Sequence, residues 1–196
     1  VHMVGKVGMD AFGAELVANL REEGIDVSAI GKDSDFASGI SMILLDDVRQ
    51  NYIVQVRGVN SNVDEEQVEL ARTALDSADA VMLQLELPFE VSHRIAKLAR
   101  LAGVTVYWDP APSSPDMDQA LDAVDVIMPN QSEAEFLTGI AVTNHDSAVK
   151  AAQELLRKGV PSVVIKMAEM GAYYATAGDS GHVPGFEIEP VDSVAA

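Results

Sequence analysis

The sequence predicts an α/β fold: a three-layer sandwich with a mostly parallel central sheet, plus a small β-hairpin flap. Three observations predict it. Apolar runs of four to seven residues alternate with amphipathic stretches of 10 to 15, the pattern of βαβ units. The runs are nearly continuous rather than alternating, which suits strands covered on both faces. One segment breaks the rhythm with two extended stretches joined by a polar turn, which reads as a hairpin instead of a crossover.

Along the chain, residues 1–7 read as a strand that opens without an initiator methionine. Asp10 can accept from the unpaired N–H groups at the start of a helix over 11–23, with Gly24 as its stop. Residues 38–45 and 52–57 form the hairpin around the polar turn 46–51; a flap covering a ligand and a plain edge hairpin both fit this pattern. Residues 80–83 are the next buried strand, and Pro88 sits at a first helical position before 91–102, which Gly103 ends. Strands follow at 104–108, 126–128 and 163–165. Between the last two, Ser132 and Glu135 have capping-box spacing ahead of a short helix stopped by Gly139, and a second helix over 147–158 stops at Gly159. Residues 1–37 and 58–196 then make an α/β core, with 38–57 as the flap.

Composition excludes several classes of function. With 196 residues, 48% of them apolar, one sizeable core is expected. A net charge of −18 with only 13 basic residues repels phosphodiester backbones and anionic lipid, so no nucleic-acid or membrane partner is expected. No apolar stretch approaches the roughly 20 residues of a membrane span. The absence of cysteine removes disulfides and thiolate chemistry and fits a cytoplasmic location. The ends, Val1 inside a strand and Val194-Ala195-Ala196 without a stop signal, lead us to expect a fragment.

Familiar catalytic signatures are missing. His2, His93, His145 and His182 lack metal-ligand spacing, and there is no Walker A loop, GxGxxG fingerprint or GxSxG elbow. Polar residues at strand ends remain, where ligands of open α/β sheets bind. Glu86 follows one strand and can accept from sugar hydroxyls, although a solvated loop glutamate fits as well. Asp109-Pro110-Ala111-Pro112 follows the next and by itself is a rigid turn. Asn130 and Glu133 straddle a helix start, where N–H groups favour phosphate and a carboxylate can hold the water shell of Mg2+; capping chemistry is the competing reading.

Taken in order, Val4 to Gly13, Gly39 to Leu45, Arg57-Gly58-Val59-Asn60, Leu83 to Pro88, Asp109 to Pro112, Pro129 to Glu135, Ile165 to Gly171 and His182 to Phe186 resemble the ribokinase-like (PfkB) carbohydrate kinase family. The resemblance implies transfer of the γ-phosphoryl group of ATP to a primary hydroxyl of a small sugar, D-ribose first, with Mg2+ and a monovalent cation such as K+. It implies that Glu86 contacts the sugar and that Asn130 and Glu133 form the NxxE motif for phosphate and Mg2+. Lys166 and Ala168 fall where the family contacts the nucleotide, and Ala168 stands where many relatives have glycine. Asp192 and Val194 match ligands of the monovalent cation. Ala195 and Ala196 open the anion-hole turn, and the catalytic aspartate is expected just after Ala196, so the 196 residues alone are expected to be inactive. Other expectations of the same resemblance are a homodimer through the flap and, as alternatives, a non-catalytic sugar- or nucleotide-binding module or an inactive fragment of a fructose, ketodeoxygluconate or nucleoside kinase.

Overall fold

The computed structural model describes residues 1–45 and 51–187, which fall into two compact units divided between Ala74 and Leu75. The fold class is α/β, with a mostly parallel sheet and a small antiparallel hairpin.

In the first unit, β1 (His2–Gly8) runs parallel to β2 (Asp26–Asp33), and α1 (Ala11–Glu22) connects them. Asp10 caps α1 as expected, accepting from Gly13 N at 2.8 Å. The same carboxylate accepts from Ser38 N at 2.7 Å and Ser38 Oγ at 2.8 Å, while Ser38 Oγ accepts from Gly8 N at 3.0 Å. These donors, Gly13 foremost, hold the Asp10 carboxyl below its ordinary value of 3.8. Gly8 is glycine for a steric reason: a Cβ there would lie 2.4 Å from Ser38 N. Neither β2 nor α2 (Glu65–Leu75) stood out in the sequence, because β2 mixes charge with its few apolar residues.

The hairpin pairs β3 (Ile40–Leu45) with β4 (Asn51–Val56) in antiparallel register, from Ile40 opposite Val56 to Leu45 opposite Asn51. Residues 46–50, most of its expected turn, lie outside the described residues. Its apolar side chains, Met42 and Ile53 among them, are exposed.

The second unit is a six-stranded sheet in the order β10-β9-β8-β7-β6-β5. Strands β5 (Ala80–Leu83), β6 (Thr105–Trp108), β7 (Val126–Ile127) and β8 (Ser162–Lys166) are parallel; β9 (Ala172–Thr176) and β10 (Ser180–Val183) return antiparallel. Helix α3 (Phe89–Ala102) connects β5 to β6, short 3-10 turns at Pro115–Gln119 and Leu121–Ala123 connect β6 to β7, and α4 (Gln131–Thr138) with α5 (His145–Arg157) connects β7 to β8. One core joins Val106, Trp108, Ile127, Val163, Ile165, Tyr173 and Ala175 of the sheet to Ala96, Ala99, Leu137, Ala152 and Leu155 of the helices. Alternate residues point to opposite faces of a sheet, and the intervening ones are half-buried or exposed, with Met82 at 77%. The expectation that strand 80–83 is covered on both faces is therefore corrected: Ala80 and Met82 are exposed on one face of β5, which ends the sheet of the second unit, so its apolar run does not report two-sided burial.

Three helix starts also differ from expectation. Pro88 is the cap of α3, one position before the first turn. Asn130, not Ser132, caps α4, with Glu133 as the reciprocal partner, and Asn144 caps α5 with Ser147 in that role. Ser132 and Glu135 have the right spacing but come after the helix has begun, and an asparagine at the cap satisfies the same N–H groups. Among the described residues no helix is long and apolar enough to cross a membrane.

Candidate active site

Because β5 to β8 are parallel neighbours, the residues after their last turns share one edge of the sheet. Register fixes this: Leu83 pairs with Trp108, Trp108 with Ile127, and Ile127 with Val163. At spacings of about 4.8 Å, the edge from β5 to β8 spans roughly 14 Å.

Glu86 is half-buried in the loop after β5. Leu85 N donates to Ala111 O at 2.9 Å, which holds that loop against the turn at Asp109 to Pro112, where the Ala111–Pro112 peptide is cis. Asp109 itself is fixed by its N–H, donated to Leu83 O at 2.9 Å.

After β7 the chain reaches Asn130, whose backbone bridges Lys166. Asn130 N donates to Glu133 Oε2 at 2.7 Å, and Asn130 Nδ2 to Glu133 Oε1 at 2.8 Å. Glu133 N donates back to Asn130 Oδ1 at 2.9 Å, and Ser132 Oγ donates to the same atom at 2.9 Å. The capping reading of Asn130 and Glu133 therefore holds, and it does not exclude a ligand role, since each carboxylate oxygen keeps a second lone pair. Glu133 is buried.

Lys166 ends β8. Its N–H donates to Pro129 O at 2.8 Å, and its Nζ lies 2.6 Å from Asp109 Oδ2. The other carboxylate oxygen, Asp109 Oδ1, is buried without a hydrogen-bond partner. Sequence reasoning treated Asp109 as part of a rigid turn; the signal available was a carboxylate directly after a buried strand. Ala168 sits in the next turn with φ 50°, a left-handed conformation that costs a residue with a Cβ. The turn closes through Gly171 N to Ala168 O at 2.9 Å and Met167 N to Gly171 O at 2.7 Å.

The structure thus sets Glu86, Asn130, Glu133 and Lys166 along one edge, with Ala168 in the turn that follows it. Asp192, Val194, Ala195 and Ala196 lie outside the described residues. Among the described residues no three histidine, aspartate or glutamate side chains gather as a metal cage. The donor set near Asn130 is one buried carboxylate with spare lone pairs, which suits a hydrated Mg2+ held largely by phosphate oxygens rather than a directly ligated ion.

Comparison with known proteins identifies a family. A ribokinase of Haemophilus influenzae is 33% identical over 196 residues, all of this chain and 64% of that protein. A deoxyribokinase of Salmonella typhi is 30% identical over 197 residues, again all of this chain and 64% of the relative. The structure of Arabidopsis thaliana ribokinase complexed with ribose and ATP superposes with a TM-score of 0.83 at 25% identity, covering 93% of this chain and 60% of that one. The chain thus spans less than two thirds of the length of these relatives. The sequence pattern of the pfkB family carbohydrate kinases matches residues 1–196, the full run in which the strand-end residues were found, and the chain belongs to that family.

Proposed function

We propose that the protein to which this chain belongs transfers the γ-phosphoryl group of ATP to a primary hydroxyl of a pentose, D-ribose before deoxyribose. The observation that carries the reading is the placement of Glu86, Asn130 with Glu133, and Lys166 at the ends of β5, β7 and β8. An edge of roughly 14 Å leaves room for a sugar at the Glu86 end and phosphates at the Lys166 end. Phosphoryl transfer asks mainly for positioning and charge stabilisation, and these residues are of the types that supply both: a carboxylate for hydroxyls, an ammonium for phosphate, and a buried carboxylate for metal-bound water. Mg2+, when bound, neutralises charge on the transferring group. Asp192 and Val194 are assigned to a monovalent cation, and the base to an aspartate following Ala196. Turnover is assayed on the full-length protein with ATP and a panel of ribose, deoxyribose, fructose, ketodeoxygluconate and nucleosides. ADP formation highest with ribose supports the reading; no ADP with any acceptor overturns it.

A second reading, a binding module without turnover, is favoured by the engagement of both Glu133 oxygens with Asn130. Calorimetry that detects ribose or ATP binding to a full-length protein with no ADP formation selects it. In either case the protein is assigned to the cytoplasm, and the exposed hairpin to a homodimer contact, because an isolated two-stranded hairpin is marginal in water.

A further inference from the structure

We propose that Asp109 is a positioning residue that competes with phosphate for Lys166: its carboxylate holds the ammonium across the site until an arriving nucleoside triphosphate displaces it. The proposal rests on the assignment of ATP as the phosphoryl donor.

The strand order makes the contact unusual. Asp109 follows β6 and Lys166 ends β8, with β7 between them, so the two backbones stand about two strand spacings, roughly 10 Å, apart. The contact of 2.6 Å therefore carries the lysine stem over the end of β7, beside Asn130 and the first turn of α4. That is where N–H groups and the helix dipole favour an anion. The Lys166 side chain is 42% exposed and that of Asp109 25%, so the ammonium is reachable by a ligand while the carboxylate lies deeper.

The carboxylate is also poorly satisfied. Oδ2 faces Lys166, and Oδ1 is buried with no donor. A ligand that takes the ammonium leaves a partly exposed carboxylate whose buried oxygen has no donor and whose other oxygen has lost its cation, which is unfavourable. The pair therefore weakens the hold of any anion that takes the ammonium, and a ligand anchored elsewhere along the site, as a nucleoside triphosphate is by its nucleoside, has further contacts with which to offset that cost. In a chain of net charge −18, a site that binds anions gains from keeping its cation placed, and Asp109 does so while lowering the affinity of anions that bind through the cation alone.

Binding of ATP to the full-length protein is followed by calorimetry, in EDTA so that no metal contributes and again in Mg2+-containing buffer. Wild type, Asp109→Asn, Lys166→Met and the double variant are compared. Asp109→Asn is expected to tighten ATP about fivefold, the size set by a half-exposed ion pair, and inorganic phosphate at least as much. In the Lys166→Met background the same change should leave affinity within about twofold, because its effect runs through the ammonium. Asp109→Ser serves as a second neutral variant if Asp109→Asn does not fold. Weaker binding in both neutral variants, an equal change with and without Lys166, or an effect confined to Mg2+-containing buffer each overturns the proposal. Failure of the wild type to bind ATP with or without Mg2+ overturns the donor assignment, and this inference with it; binding by the wild type with no difference among the variants overturns the inference alone.

Discussion

Asn130 and Glu133 close on each other through three hydrogen bonds: Asn130 N and Nδ2 donate to the two Glu133 carboxylate oxygens at 2.7 and 2.8 Å, and Glu133 N returns one to Asn130 Oδ1 at 2.9 Å. The motif that caps α4 is the one assigned to phosphate and Mg2+, so its two duties are separable by mutation.

Glu133→Gln keeps one acceptor for Asn130 and removes the charge. In the full-length protein, turnover should fall about 10- to 100-fold, in the range seen when groups that orient a metal's ligands are lost, and the Mg2+ concentration for half-maximal rate should rise. Asn130→Ala removes the cap and should cost about 1 kcal/mol of stability, measured by urea unfolding. A Glu133→Gln enzyme with unchanged Mg2+ dependence would show that the carboxylate only caps.

Ala168 holds φ 50° and Gly171 φ 86° in one turn, with different room around each. Ala168→Gly should stabilise the protein by up to about 1 kcal/mol by relieving a left-handed alanine. Gly171→Ala should destabilise it by more than about 2 kcal/mol, since a Cβ there would sit 2.1 Å from Val183 O. Chemical denaturation of both variants measures the pair, and equal shifts of the same sign would contradict this account of the turn.

The His93 ring lies against Phe89, tilted by 35° with ring centroids 5.1 Å apart, and its Nε2 is buried without a partner. Burial, and secondarily the Lys97 charge, push its pKa below 6.5, against the opposing pull of Asp122 and Glu90. The folded state therefore binds fewer protons than the unfolded state, so this residue's stabilising contribution is full above the unfolded value of 6.5 and declines as pH falls below it. His93→Gln should flatten the fall in unfolding free energy below that pH. An identical slope in the variant would show that other groups set it.

Along the hairpin, Met42, Leu44, Tyr52 and Val54 are each about half exposed or more. If they meet a second copy, Val54→Glu should convert a dimer to a monomer at micromolar concentration in light scattering, while ribose and ATP affinities distinguish loss of assembly from loss of binding. A monomeric wild type would remove the hairpin from the account of assembly.

Much of the sheet was legible because β6 and β8 carry unbroken apolar runs and because Gly103, Gly139 and Gly159 mark where helices stop. The strand-end residues were legible for the same reason: once a strand is located, the residue after it lies at the edge. What escaped detection depended on partners distant in sequence. The helix starts at 130 and 144 were misplaced because serine and asparagine cap by the same chemistry and spacing does not rank them. Strand β2 has no apolar pattern of its own and is recognised through its pairing with β1. The Asp109 and Lys166 contact joins residues 57 positions apart, and no local pattern announces it.

In the second unit each strand from β6 to β10 lies beside the strand made just before it. No strand has to be threaded between two that have already paired. Such a sheet can be assembled in the order of its synthesis: each new strand finds a finished edge waiting, and a pause in translation after any of them leaves a shorter sheet rather than one with a gap.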